Sequence, residues 1–310
     1  MAAAGVPARS SGVTKGNPMI DRRCFLLAGA ALAASCGSAR GAAPRRTPIR
    51  PDFAPLQARL GRGGRLGVAA LDVASERWLL HDETSRYAMC STFKLALAAD
   101  ILARVERGTL SLDQEIPFGS ADLLGYAPVV RANLALGRLP LERLCAAIVE
   151  VSDNSAANLL LARVGGPAGL TAFIRSAGDR VTRCDRTEPE LNTNLPGDPR
   201  DTTTPRAMVG LMRTLLLGDR LSPASRTRLI GWMEGATTAR DRLRAGFPAG
   251  WRAGDKSGTG SDASNDLAIA WPPGRGPILI ACYTSGPAET MDARNAVHAD
   301  VARAVVAAFA

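Results

Sequence analysis

Apolar positions change period twice along this chain. Residues 65–71 and 76–80 read as a pair of strands, with 72–75 as the turn region between them. A short helical pattern over 53–60 precedes them. From Ser91 the spacing becomes helical, with Leu95, Leu97, Ala98, Ile101, Leu102 and Val105 forming an apolar stripe. Helical character continues over 141–151, 156–164 and 204–217, interrupted by Gly/Pro loops, and strand-like runs return at 267–271 and 277–283. The chain closes with an apolar helix from about Met291. Strands at both ends with helices between them predict an α+β fold. Its antiparallel sheet is drawn from both chain ends and flanked by helices, with an all-α domain inserted. The expected boundaries are 44–85 and 236–310 for the sheet domain and 86–235 for the helical one. No internal repeat is visible, and a cleft between two such lobes is a frequent place for a small-molecule pocket.

The first 43 residues stand apart. Asp21-Arg22-Arg23-Cys24-Phe25-Leu26-Leu27 opens an Ala-rich apolar stretch ending near Ser35, and this resembles a twin-arginine export signal. The apolar run of about a dozen residues is shorter than the roughly 20 a spanning helix needs. A cleaved leader over 1–43 is expected, with export to the periplasm and no stable membrane insertion after processing. A lipid anchor through Cys36 is the second possibility, and Met19 is an alternative start to Met1.

Composition narrows the chemistry. With 46% hydrophobic and 22% charged residues in 310, the chain is globular rather than disordered. Five basic residues against Asp21 place +4 of the formal +9 in the leader. The remaining arginines are scattered and aromatics are only 5%, which argues against nucleic acid as a partner. His81 and His298 are the only histidines, and neither carries a triad motif. No CxxC or HxxxH spacing occurs, so neither a metal nor a cofactor is expected. Cys90, Cys145, Cys184 and Cys282 follow the leader, and no bridge among them is predicted.

Of 38 basic residues only Lys15, Lys94 and Lys256 are lysines. An arginine stays protonated, whereas a lysine can have its pKa lowered and act as a base. Lys94 lies in Ser91-Thr92-Phe93-Lys94, which sets a hydroxyl and an amine one helical turn apart at a helix start. That suits a serine nucleophile with a neighbouring base, and helix-start N–H groups suit a developing oxyanion. About one chance SxxK is expected in a chain of this length. Ser152-Asp153-Asn154 follows the apolar run 144–151 and reads equally as a turn capped at Asn154 or Ser155. Lys256-Ser257-Gly258-Thr259-Gly260 reads as an edge strand whose glycines admit close backbone approach, which a substrate-binding strand also needs.

In this order SxxK, SDN and KSG resemble the signature of serine β-lactamases and penicillin-binding proteins. Glu188-Pro189-Glu190-Leu191-Asn192 resembles the class A β-lactamase loop whose glutamate and asparagine hold a hydrolytic water. Arg186 and Asp201 match the ion pair that closes it. The resemblance to class A runs from about residue 53 to the C-terminus. It implies a β-lactamase/transpeptidase-like fold and a monomer that hydrolyses penicillins and cephalosporins, with water as second substrate. The rival reading is a low-molecular-weight penicillin-binding protein acting on peptidoglycan peptides, a group that lacks the water-activating glutamate.

The resemblance also implies roles. Ser91 is the nucleophile, with the N–H groups of Ser91 and Thr259 as the oxyanion hole. Lys94, or Glu188 through water, is the acylation base. Ser152 passes a proton to the lactam nitrogen beside Lys256, and Glu188 activates the deacylating water with Asn192. Asn154, Tyr126, Ser257, Gly258 and Thr259 are implied to contact substrate. The family's frequent arginine after the KSG strand is missing from 261–266, and Arg242 matches an alternative arginine for the substrate carboxylate. Cys90 precedes the nucleophile as in a carbapenem-hydrolysing subgroup, but Gly260 and Ser261 occupy its partner's stretch. Cys145 fits half of the family's buried disulfide, with Ala98 in its partner's place.

Overall fold

A computed structural model describes residues 47–287 and 290–310. The leader, its cleavage point and Cys36 lie outside the described residues. Five antiparallel strands form the main sheet, in the spatial order Arg77–His81, Arg65–Asp72, Ile278–Ser285, Ala263–Trp271 and Arg252–Thr259. Both chain ends thus build one sheet, and the segment carrying Lys256 is its outer edge.

The strands alternate between two cores because successive side chains leave a strand on opposite faces. Leu71, Leu267, Ile269, Leu279 and Tyr283 join the cluster shared with the central helices. Leu66, Val68, Ala268, Ile280 and Cys282 face the other way, onto Val297, Val301 and Val305 of the closing helix Met291–Phe309. Each fully buried aliphatic side chain contributes about 1.5–3 kcal/mol of transfer free energy. Coverage on both faces is why these strands read as unbroken apolar runs.

Helix Phe93–Glu106 is buried on every side from Phe93 to Ala103, including Lys94 and Asp100. The one-sided stripe read from its sequence understates this burial. Four helices surround it: Leu141–Glu150, Asn154–Val164, Gly166–Ser176 and Pro223–Glu234. A helix at the centre of a bundle has no solvent face to mark with polar residues. Gly166–Ser176 and Pro223–Glu234 begin at Gly/Pro signals that read as loop, yet proline fits a first helical turn. Tyr87–Ala88 pairs with Thr202–Thr203, which brings the end of the 186–201 loop beside the turn that carries Ser91. All four described cysteines are buried free thiols.

Candidate active site

Ser91 sits in a single 3-10 turn, Cys90–Thr92, at the head of the central helix. Cys90 enters that turn at φ +46°, in the left-handed region that side chains with a Cβ avoid. Three contacts impose the strain. Met89 N donates to Asp201 O at 2.9 Å, and Asn265 Nδ2 donates to the carbonyls of Ala88 and Met89 at 2.8 and 3.1 Å. The edge strand also lies so close that a Cβ on Gly258 would stand 2.6 Å from Met89 O. Only glycine lets the strand and the Ser91 turn meet at that distance. Non-glycine residues held at such angles gather at functional sites, and Ser152, at φ +60°, is another here.

Asp153 caps the helix Asn154–Val164, its Oδ1 accepting from Ala156 N at 2.9 Å. The sequence had left the cap to Asn154 or Ser155. With Asp153 in that role, and its Oδ2 also fixing the N–H groups of Val129 and Val130, the Asn154 amide is released into the site. Lys94 Nζ donates to Asn154 Oδ1 at 2.6 Å, to Ser91 Oγ at 2.9 Å and to Ser152 O at 2.9 Å. Ser152 Oγ lies between the two amines, 3.4 Å from Lys94 Nζ and 3.1 Å from Lys256 Nζ.

Both lysines are fully buried. Burial lowers the pKa of Lys94 because a charged amine loses hydration, while the Glu188 carboxylate pulls it back up. Lys256 is lowered to about 7, first by burial and then by repulsion from Lys94. Glu188 Oε1 is 2.9 Å from Lys94 Nζ and accepts from Ser91 Oγ at 3.4 Å. Asn192 Nδ2 holds the other carboxylate oxygen at 2.5 Å. The loop that presents Glu188 is closed by Arg186 Nε on Asp201 Oδ2 at 2.6 Å.

These groups open into a cleft of about 390 Å³ lined by Ser91, Tyr126, Ser152, Asn154, Asn192 and Thr259, among others. Tyr126 is 53% exposed at its mouth. Arg242 is buried behind the edge strand. Its NH1 donates to the carbonyls of Gly258 and Asn265, and its NH2 to Thr259 Oγ1 at 2.8 Å. The residues implied to act on or contact substrate, from Ser91 and Lys94 to Glu188, Arg242 and the 256–259 strand, therefore lie in or against one cleft. Three further residues were missed. Asn158 brackets the Glu188 backbone, accepting from its N–H at 3.0 Å and donating to its carbonyl at 2.9 Å. Thr238 lines the cleft and bonds Ser257 Oγ at 2.6 Å. Asn295 Oδ1 accepts from Arg242 Nε at 3.0 Å. Asn158 lay within the SDN helix and could have been flagged there, whereas Thr238 and Asn295 carry no local motif.

A buried serine hydroxyl shared by an amine and a carboxylate, under an edge strand, is the apparatus of enzymes that pass an acyl group through a serine ester. The chain belongs to the β-lactamase enzyme family, whose model matches residues 55–309. It is 43% identical over 244 residues to β-lactamase CTX-M-8 of Citrobacter amalonaticus, covering 78% of this chain and 84% of the relative. It is 44% identical over 243 residues to the carbapenem-hydrolyzing β-lactamase KPC of Klebsiella oxytoca, covering 78% and 83%. Among solved structures, the class A β-lactamase of the last common ancestor of Gram-negative bacteria matches with a TM-score of 0.81. It is 55% identical, covering 83% of this chain and 98% of that one.

Proposed function

We propose that this chain hydrolyses the β-lactam ring of penicillins and cephalosporins through an ester on Ser91, and so confers resistance to them. The observation that carries the reading is Glu188, whose Oε1 reaches both Ser91 Oγ and Lys94 Nζ while Asn192 holds Oε2. A carboxylate so placed can take a proton from a water beside the ester, which a transpeptidase keeping a long-lived acyl-enzyme has no use for.

Ser91 Oγ attacks the lactam carbonyl and its proton has two acceptors in reach, Lys94 directly or Glu188 through water. The carbonyl oxygen takes up negative charge between the N–H groups of Ser91 and Thr259. As the C–N bond breaks, Ser152 Oγ–H protonates the departing nitrogen and regains a proton from the lysines flanking it. Glu188 then deprotonates water, the hydroxide attacks the ester, and the C–Oγ bond breaks as Glu188 passes the proton to Ser91 Oγ. Asn154 and Tyr126 meet the substrate's side chain, Ser257, Gly258 and Thr259 line up along it, and Arg242 with Lys256 balances its carboxylate. Residues 1–43 direct export to the periplasm, where the processed chain works as a monomer.

A chromogenic cephalosporin with purified protein tests this. Continuous turnover is expected, with no adduct on Ser91→Ala by mass spectrometry; a stoichiometric burst without turnover would return the chain to the penicillin-binding proteins.

A further inference from the structure

Behind the catalytic cleft lies a second, larger one of about 670 Å³, within the range of small-molecule pockets. A single stretch of the 186–201 loop divides the two. Asn192 lines the catalytic side, and the next two residues, Thr193 and Asn194, line the rear. Asn194 Nδ2 donates to Asp262 O at 3.2 Å, tying this partition to the sheet.

The rear cleft has an apolar and a basic side. Leu195, 60% exposed, stands there with Pro196, Pro199 and Pro287. Arg65 and Arg86 line it too. Arg86 is exposed and spends its NH1 on the neutral acceptors Val181 O and Thr202 Oγ1, with no carboxylate partner among the described residues. Arg65 lies over the Tyr87 ring and reaches Asp82 only at 3.4 Å. Of the two lining carboxylates, Asp198 is already matched by the Arg200 guanidinium, and Asp262 is a rim residue 60% exposed. Positive charge beside a proline-walled apolar face suits a flat molecule with one anionic end.

We infer that the rear cleft is a second ligand site, for a small aromatic carboxylate or sulfonate, whose occupancy acts on Glu188 through Asn192. A ligand bearing on Thr193 and Asn194 moves the neighbour that holds Glu188 Oε2, so deacylation responds while the substrate cleft stays open.

Anilinonaphthalene sulfonate is the probe, followed by its fluorescence. One saturable site is expected in the wild type and in Ser91→Ala, with binding at least tenfold weaker in Arg86→Glu and in Leu195→Ser. Should Arg86→Glu lower the melting temperature, Leu195→Ser alone decides. In turnover of a chromogenic cephalosporin the dye is expected to lower kcat at least twofold with KM not raised. Absence of a saturable site, or binding unchanged in Leu195→Ser, overturns the site. A rise in KM alone places the dye in the catalytic cleft and overturns it as well, and binding with kcat unchanged overturns the coupling. The kinetic arm rests on the proposed hydrolysis and the fluorescence arm does not, so the two readings fail separately.

Discussion

Lys94 Nζ and Glu188 Oε1 stand 2.9 Å apart, and neither side chain has any solvent exposure. The two groups are coupled, because removing the carboxylate takes away the charge that favours the protonated form of the buried amine. In Glu188→Gln the amide keeps the shape but cannot accept the water's proton. Turnover is expected to fall about 10²–10⁴-fold, the usual share of a general base, and the Ser91 ester should accumulate in the mass spectrum. The same change removes the carboxylate that raises the Lys94 pKa, so acylation should persist at neutral pH. Wild-type turnover in Glu188→Gln would remove this residue from deacylation.

Lys256 gives the site a pH limit. Its pKa is lowered to about 7 by burial and by Lys94, so the amine is charged below that pH and neutral above it. The positive charge that the proposed mechanism sets beside the substrate carboxylate and the departing nitrogen is therefore present on the acid side and lost as pH rises through about 7. A plot of kcat/KM, which reports the free enzyme, should fall on its alkaline limb there. Lys256→Arg, whose guanidinium stays charged, should lose that limb even where its absolute rate is lower. A limb unmoved by this change would assign it to another group.

Much of the site was legible because its chemistry is local. Ser91 and Lys94 are one helical turn apart in sequence, and a helix turns that spacing into a 2.9 Å contact. The strands at both chain ends were legible too, since short unbroken apolar runs mark them and neither end could bury its faces alone. What stayed hidden depends on contacts between distant segments. Asp153 rather than Asn154 became the helix cap because the N–H groups of Val129 and Val130 share its carboxylate. Asn295 reaches Arg242 from the closing helix, 53 positions away. Lys94 and Asp100 interrupt an apolar helix without marking a solvent face, since the bundle closes around both.

Arg242 is the proposed anchor for the substrate carboxylate, and its geometry separates anchoring from a purely structural role. NH2 points at Thr259 Oγ1 while Nε and NH1 are held by Asn295 and two carbonyls. A charge-assisted hydrogen bond is worth about 1.5–3 kcal/mol. Arg242→Ala should therefore lower kcat/KM for a penicillin about 10–100-fold, mostly through KM. Arg242→Lys should recover little, because an ammonium cannot fork between the carbonyls and Thr259. Asn295→Ala should give a smaller loss of the same kind. A fall in kcat with KM unchanged would point instead to damage at the oxyanion hole.

Gly260 lies against both Cys90 and the 186–201 loop. A Cβ built there would stand 3.0 Å from Cys90 Sγ and 2.7 Å from Asn192 O. In a disulfide each Cβ is about 3 Å from the partner sulfur, given an S–S bond of about 2.05 Å. Gly260→Cys is thus placed to bond Cys90, whose thiol pKa burial pushes up to about 12, so an oxidant or exchange catalyst should be needed. Closure of so long a loop typically adds about 2–4 kcal/mol. The Asn192 carbonyl must yield a few tenths of an ångström, which disturbs the residue holding Glu188. The oxidised variant should melt higher than its reduced form and deacylate more slowly, with both thiols lost to titration. A lower melting temperature on oxidation would mean that strain in the loop outweighs the bridge.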